Sequence, residues 1–134
     1  MKIPQTFCHG DLTFTNIIFN KNRLYYIDFL DCFIDSFLCD LIKLKQDLYY
    51  HWSLDVQGVK NLRIRQIYSY IWDKIEQRYS EYVDTIEFNV LDILNTLRIE
   101  PYLTNEDQRL IIKRMLKCSS LYGNVNCSDG REVE

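Results

Sequence analysis

Three side chains that carry oxygen atoms lie close together near the start of this chain of 134 residues. Asp11 follows His9 and Gly10, Asn16 comes five residues later, and Asp28 follows an apolar run. Transfer of a phosphoryl group from a nucleotide needs a carboxylate beside the attacking hydroxyl, and amide and carboxylate oxygens that hold magnesium against the phosphates. This segment contains all of these groups, so phosphoryl transfer is chemistry that it could support.

A β-hairpin is predicted to position two of these side chains. The β-favouring runs 17–19 and 24–27 flank a polar, Asn-rich turn of four residues at 20–23, a pattern typical of a hairpin. Asn16 lies just before the first strand and Asp28 just after the second. Because an antiparallel hairpin brings these two ends side by side, we expect Asn16 and Asp28 to be neighbours in space.

Beyond residue 35 the apolar residues recur at steps of three and four, which predicts helices. We expect helices at about 36–50, 59–82, 87–97 and 104–122. Thr104 and Asp107 resemble a capping box that would open the last helix, and Gly123 would end it. The polar tail, 123–134, is expected to fray.

These elements predict one domain over residues 1–134, because no repeat or low-complexity block divides the chain. Its fold class is predicted to be mainly α (α+β). The loop and hairpin would occupy residues 7–31, and the helical part would occupy residues 36–122.

Composition excludes several classes of protein. A hydrophobic fraction of 47% with 26% charged residues is typical of a folded soluble domain. The net charge of −3 argues against a nucleic-acid partner, and no run approaches the ~18 apolar residues of a membrane span. Five cysteines without a Cys-x-x-Cys pair predict reduced thiols and a cytoplasmic protein. A zinc site that combines them with His9 or His51 lacks supporting ligand spacing.

Each polar residue also has a structural interpretation. Gly-Asp pairs are common in turns, where the Asp often caps the next segment, and Asn before a strand is routine. Asp28 is less easily explained, because a carboxylate within an apolar run carries a desolvation cost or has a cationic partner. The ordered spacing of Asp11, Asn16 and Asp28 favours a functional site.

The segment from Cys8 to Phe19 resembles the catalytic loop of the aminoglycoside phosphotransferase and choline/ethanolamine kinase superfamily, in which His-Gly-Asp, four residues and Asn precede an apolar strand. Ile27-Asp28-Phe29 is similar to the Ile-Asp-Phe or Ile-Asp-Trp that follows the hairpin of that family. Asp35-Ser36 and Asp40-Leu41 resemble its Asp-Pro and Asp-Leu pairs, with Ser in place of Pro. The resemblance is close over residues 7–45, whereas the rest of the chain resembles the family only in being helical. The resemblance implies a protein-kinase-like C-terminal lobe.

The resemblance implies a role for each motif residue. Asp11 would be the catalytic residue, which orients the substrate hydroxyl and accepts its proton. Asn16 and Asp28 would bind Mg²⁺ and, through it, the phosphates of ATP. Among the supporting residues, His9 would fix the loop by hydrogen bonding. Asp35 and Asp40 would cap the following helix and bond the loop.

The implied reaction moves the γ-phosphate of ATP to a hydroxyl of a small molecule such as choline, ethanolamine, a sugar, an aminoglycoside or a cell-surface precursor.

Asp31 is either part of the anionic cluster or an exposed loop carboxylate, and His51 is packed or exposed rather than a catalytic base. One set of aromatic residues could line a pocket for a cationic choline-like group, or could form core and groove walls: Tyr49, Tyr50, Trp52, Tyr68, Tyr70 and Trp72.

Kinases of this superfamily also have an N-terminal lobe with a phosphate-covering loop and a Lys–Glu pair. Only eight residues precede His9, so this lobe is expected to be absent from the chain. Two functional hypotheses follow, and a third option is an unrelated helical domain in which the motifs arise by chance. The lobe could catalyse transfer, or it could be a non-catalytic interaction module or one half of a split kinase. In either case an exposed apolar face is expected to self-associate or to bind a separate N-lobe.

Overall fold

A two-stranded hairpin precedes the α-helices in the computed structural model, which describes residues 3–119. After a 3₁₀ turn at Phe14–Asn16, strand β1 (Ile17–Asn20) pairs antiparallel with β2 (Arg23–Tyr26). The turn therefore has two residues rather than the four predicted, because the end residues of 20–23 belong to the strands. The central residues, Lys21 and Asn22, have φ values of 46° and 65°. Two left-handed residues suit a tight hairpin, since their twist matches that of the strands.

Six α-helices follow in the part of the chain that the structure describes, which confirms the mainly α fold class. They are α1 (Phe37–Leu48), α2 (Trp52–Val56), α3 (Leu62–Arg78), α4 (Ser80–Val83), α5 (Ile86–Ile99) and α6 (Glu106–Cys118). A 3₁₀ turn at Glu100–Tyr102 joins the last two.

Two helix predictions need correction, and one helix is additional to those predicted. The single helix expected over 59–82 is interrupted at Tyr79, whose φ of −116° and ψ of 24° are not helical, so that it forms α3 and α4. Helix α2 was not predicted. The last helix ends at Cys118 rather than near residue 122. Gly123 and the predicted polar tail lie outside the described residues.

Two predicted caps lie one residue away from the observed ones. Ser36, not Asp35, caps α1, because its extended backbone places the hydroxyl to accept the Leu38 N–H at 3.3 Å. At α6 the capping pair is Asn105 and Gln108 rather than Thr104 and Asp107. The Asn105 side chain accepts the Gln108 N–H at 2.9 Å, and the Gln108 Oε1 accepts the Thr104 N–H at 2.8 Å.

Helix α1 lies at the centre of the fold and packs against α3 and α5. The main core cluster is built from these helices and α4: Leu38, Leu41, Ile42, Leu48, Trp72, Val83, Phe88 and Leu91. Tyr50, Ile112 and Met115 form a second cluster, which anchors α6. Among residues 3–119 no helix is both long enough and apolar enough to cross a membrane.

Helix α1 also buries charge on the side that faces α5. Lys45 Nζ lies 2.8 Å from Asp92 Oδ2, which accepts a second hydrogen bond, at 2.7 Å, from the Tyr50 hydroxyl. Asn95 Nδ2 donates to Gln46 Oε1 at 2.9 Å one turn further along. Burial, together with the Asp92 charge, raises the pKa of Tyr50. The hydroxyl therefore remains protonated and is a permanent donor to Asp92.

The cysteines only partly match the prediction of reduced thiols. Cys8, Cys32 and Cys39 are free, whereas Cys118 is disulfide-bonded. Burial raises the pKa of Cys8, and it raises the pKa of Cys39 to about 12. Because the thiolate is the reactive form, Cys8 and Cys39 are poor nucleophiles near neutral pH.

Replacing His51 with Asn is expected to make stability less sensitive to pH. Burial lowers the pKa of His51, and Arg65 lowers it further. Below about pH 6.5 the unfolded chain takes up a proton that the folded histidine binds less readily, so the free energy of unfolding falls as the pH falls. Asn cannot titrate, yet it tolerates the left-handed backbone of this position, where φ is 59°. Urea unfolding between pH 7 and 5 should show a shallower decline in the variant, and an unchanged decline would contradict the assignment.

Candidate functional site

The loop that contains His9 and Gly10 is fixed to helix α1 by one carboxylate. Asp40 accepts the His9 N–H through Oδ2 at 2.8 Å and the Gly10 N–H through Oδ1 at 3.0 Å. A carboxylate that accepts two main-chain N–H groups forms charge-assisted bonds, which are stronger than neutral ones. Asp40 therefore fixes the position of the loop along α1.

Gly10 is required where the loop meets the segment after the hairpin. Its φ is 81°, and a Cβ at this position would lie 1.9 Å from the Leu30 carbonyl oxygen. The His9 carbonyl accepts the Leu30 N–H at 3.0 Å, and the His9 ring stacks on Phe29 with centroids 4.2 Å apart. A residue with a side chain at position 10 would separate these two segments, so glycine permits the close approach.

The Asp11 carboxylate lies between a cation and an amide. Lys43 Nζ is 3.0 Å from Asp11 Oδ1, and Asn16 Nδ2 donates to Asp11 Oδ2 at 3.2 Å and to the Asp11 carbonyl at 2.9 Å. The Asp11 N–H donates to His9 Nδ1 at 3.3 Å. The Lys43 side chain is 8% exposed and that of Asp11 is 27% exposed. Asp11 is thus held on two sides and remains accessible on another.

Asp28 follows β2 next to Asn16. The Ile27 N–H donates to the Asn16 carbonyl at 3.1 Å, so the two chain segments are in contact, as the hairpin register requires. Asp28 is exposed and has a φ of 57°. Left-handed residues other than glycine are uncommon and occur often at functional sites, and Asp is one of the types that tolerate them.

A further contact between the loop and α1 is made by Asp47. Its carboxylate accepts the Phe14 N–H at 2.8 Å through Oδ2 and the Ser53 hydroxyl through Oδ1. Asp40, Lys43 and Asp47 are spaced by three and four residues and therefore share one face of the helix. Each of them binds a successive part of the loop, so this face holds residues 9–14 in register with α1.

Lys43 and Asp47 were not among the site residues predicted from the sequence. A partial signal for them is their spacing from Asp40, which places three charged side chains on one face of the helix but does not show which segment that face binds. Of the predicted residues, His9, Asp11, Asn16 and Asp40 are connected by hydrogen bonds. Asp28 adjoins them through the hairpin. Asp35 contributes its carbonyl, which accepts the Thr6 N–H at 3.0 Å.

The aromatic residues do not form one pocket wall. Trp72 and Tyr50 are buried in the two core clusters, and Tyr68 packs edge-on against Phe14 with ring centroids 5.0 Å apart. Tyr70 is exposed on α3.

Asp31 is an exposed loop carboxylate. Within residues 3–119 no group of three His, Cys, Asp or Glu side chains has a geometry that could hold a metal ion.

Comparisons with known proteins agree with this geometry at the level of the family. No curated protein and no solved structure matches the chain. The family model described as the phosphotransferase enzyme family matches residues 2–78, a segment that contains the loop, the hairpin and helices α1 to α3. Because the match covers more than half of the 134 residues and includes every residue around Asp11, this chain belongs to the phosphotransferase enzyme family.

Proposed function

We propose that the chain is the kinase-like C-terminal lobe of an enzyme that moves the γ-phosphate of ATP to a hydroxyl of a small molecule. The observation that carries the proposal is the Asp11 carboxylate, which is held by Lys43 and Asn16 and is still accessible. A catalytic carboxylate in phosphoryl transfer must be oriented and must be reachable by the acceptor, and Asp11 meets both conditions.

Asp11 would orient the acceptor hydroxyl and accept its proton. Its two oxygens have about four lone-pair sites, and the described contacts use one site on each oxygen. The remaining sites can accept a hydrogen bond from a hydroxyl. A weak base suffices, because the loose transition state of phosphoryl transfer requires little activation of the nucleophile.

Asn16 and Asp28 would hold Mg²⁺. The amide nitrogen of Asn16 is used on Asp11, so its carbonyl oxygen remains for a metal. The Asp28 carboxylate makes no hydrogen bond or ion pair with another described residue. Carboxylate and amide oxygens are ligands that Mg²⁺ prefers, and it commonly retains several waters. When bound, the ion would neutralise charge on the nucleotide phosphates.

The proposal is tested by measuring nucleotide binding and transfer in the same samples. The chain, alone and combined with a separately supplied kinase N-lobe, should bind ATP only with Mg²⁺ in a fluorescent-nucleotide competition. ³¹P NMR should then show a new phosphate ester with one acceptor from a panel of polyols, sugars, amino alcohols and aminoglycosides. Absence of both magnesium-dependent binding and transfer in either format would reject the proposal.

Replacing Asp28 with Asn should weaken magnesium-dependent ATP binding at least about tenfold, since even the loss of residues that orient metal ligands typically costs 10- to 100-fold. The loss of one negative charge next to the cation is the physical reason. Asp31→Asn makes the same charge change three residues further along, on an exposed carboxylate, and should change the affinity little. Equal losses in the two variants would indicate a general electrostatic effect rather than a metal ligand.

A binding role, or one half of a split kinase, is the second candidate function. The observation that favours it is the exposure of large apolar side chains along the hairpin and the segment after it: Ile18, Phe19, Leu24, Tyr25, Tyr26, Ile27, Phe29, Leu30 and Phe33. Contiguous apolar surface of this kind often marks a protein–protein contact. Sedimentation at increasing concentration tests it. The double change Phe19→Ser and Leu24→Ser should reduce association if the hairpin is the contact surface, whereas a monomer at every concentration would argue against self-association.

A further inference from the structure

A small pocket lies behind the catalytic loop, on the side of Lys43 that faces α5. Gly10, Cys39, Lys43, Asn95 and Arg98 are among the residues that line it. Its volume is about 20 Å³. This space can hold a water molecule or the oxygen atoms of one small group. Because Lys43 also contacts Asp11, a group in the pocket would be separated from the catalytic carboxylate by a single side chain.

The lining of this pocket is positively charged. Among residues 3–119 its lining contains Lys43 and Arg98 but no carboxylate, and burial raises the pKa of the Cys39 thiol to about 12, so that this thiol carries no negative charge at neutral pH. Lys43 is partly neutralised by Asp11. The Arg98 side chain forms no ion pair or hydrogen bond with any other residue in the range 3–119. Among the described residues, the exposed Arg98 therefore adds one positive charge at the pocket that has no ionic partner.

The pocket also has hydrogen-bond donors to spare. Lys43 has three N–H groups and the structure gives it one contact, to Asp11, while Arg98 has five N–H groups that are free of described partners. Guanidinium and ammonium donors bind carboxylate and phosphate oxygens with charge-assisted hydrogen bonds. A cationic group such as a quaternary ammonium would meet repulsion and would find no carboxylate among the lining residues that the structure describes.

We infer that this pocket binds an anionic group of the acceptor, and that the acceptor is a hydroxylated compound bearing a carboxylate or phosphate rather than a cationic compound such as choline or an aminoglycoside. The inference rests on the proposed function, because it takes the hydroxyl at Asp11 as the reacting group. Arg98 is the specificity-determining residue, and Lys43 connects the bound anion to Asp11.

The experiment compares acceptors that differ mainly in charge. Glucose, glucuronate, glucose 6-phosphate and choline are titrated into the full chain at constant ionic strength, and binding is followed by ¹H–¹⁵N NMR. Glucuronate or glucose 6-phosphate should bind about tenfold more tightly than glucose, which is what one hydrogen bond to a charged group contributes. Tighter binding of glucuronate would indicate a carboxylate subsite, and tighter binding of glucose 6-phosphate would indicate a phosphate subsite. The shifts should include Arg98, Asn95 and Gly10.

Arg98→Gln should reduce the ratio of the affinity for the anion to the affinity for glucose to nearly one. The affinity for glucose itself should stay the same. Arg63→Gln, which removes a charge from the exposed surface of α3, should leave the preference intact. Tighter binding of choline, a preference retained in Arg98→Gln, or no binding of either anion would overturn the inference. Transfer to a cationic or neutral acceptor would reject the inference and leave the proposed function standing. Binding of an anion at Arg98 without transfer to any acceptor would support the anion site and reject the proposed function.

Discussion

Asp11→Asn should lower the rate of phosphoryl transfer by about 10²- to 10⁴-fold, the usual contribution of a positioned acid or base. Asn keeps the shape of Asp and can still contact Asn16, but its amide cannot accept the hydroxyl proton. The substitution also removes the negatively charged partner of Lys43, whose side chain is largely buried. The measurement is the initial rate of product formation with Mg-ATP and the acceptor identified by the transfer screen.

Two controls separate catalysis from folding in this variant. Magnesium-dependent ATP binding should persist, because the proposed metal ligands are Asn16 and Asp28. Asp73→Asn, which makes the same change on an exposed position of α3, should have wild-type activity. A thermal midpoint near that of the wild type, together with a transfer rate reduced less than threefold, would show that Asp11 is not the catalytic carboxylate.

Asp92→Ala should destabilise the fold by about 3–5 kcal/mol, the cost of leaving a buried charge without its partner. Asp92 is 1% exposed and holds both the Lys45 ammonium and the Tyr50 hydroxyl. The ammonium is enclosed by the rings of Tyr49, Tyr50 and Phe88, at 5.7, 5.4 and 5.5 Å from their centroids. These rings attract a cation but cannot replace a carboxylate. Urea unfolding measures the loss as a lower midpoint.

A second variant tests the cause of that loss. Lys45→Met combined with Asp92→Leu removes both charges and fills similar volume, so it should recover most of the lost free energy, as apolar replacements of buried ion pairs often do. Tyr50→Phe removes only one hydrogen bond and should cost about 1 kcal/mol. If the double variant were as unstable as Asp92→Ala, the loss would come from packing around α5 rather than from an unpaired charge.

The local parts of this fold could be predicted from sequence because their determinants are local. The hairpin follows from two β-favouring runs beside a polar turn, and its antiparallel pairing places Ile27 against Asn16 without help from the rest of the chain. The turn length was wrong, since Asn20 and Arg23 satisfy their backbone groups by pairing with each other. Caps at α1 and α6 differ by one residue for a similar reason: neighbouring polar residues compete for the same backbone N–H groups.

The positions of Lys43 and Asp47 could not be predicted from the composition of α1. Periodicity identifies a helix by its apolar face, and charged residues on another face are normally solvated. Here that face is covered by the loop, so Asp40, Lys43 and Asp47 bind His9, Asp11 and Phe14 from about thirty residues away. Contacts over such separations depend on how α1 packs against the loop, and a pattern along the chain does not contain that information.

The sequence by itself determined the chemical groups of the candidate site and the proximity of Asn16 to Asp28, because residue types and hairpin pairing are local properties. Only the tertiary structure decided which cation faces Asp11, how the loop is fixed, and that Arg98, which has no ionic partner within residues 3–119, lines the pocket beside Lys43. Electrostatic surroundings depend on distances between segments that are remote in sequence, and packing alone establishes those distances.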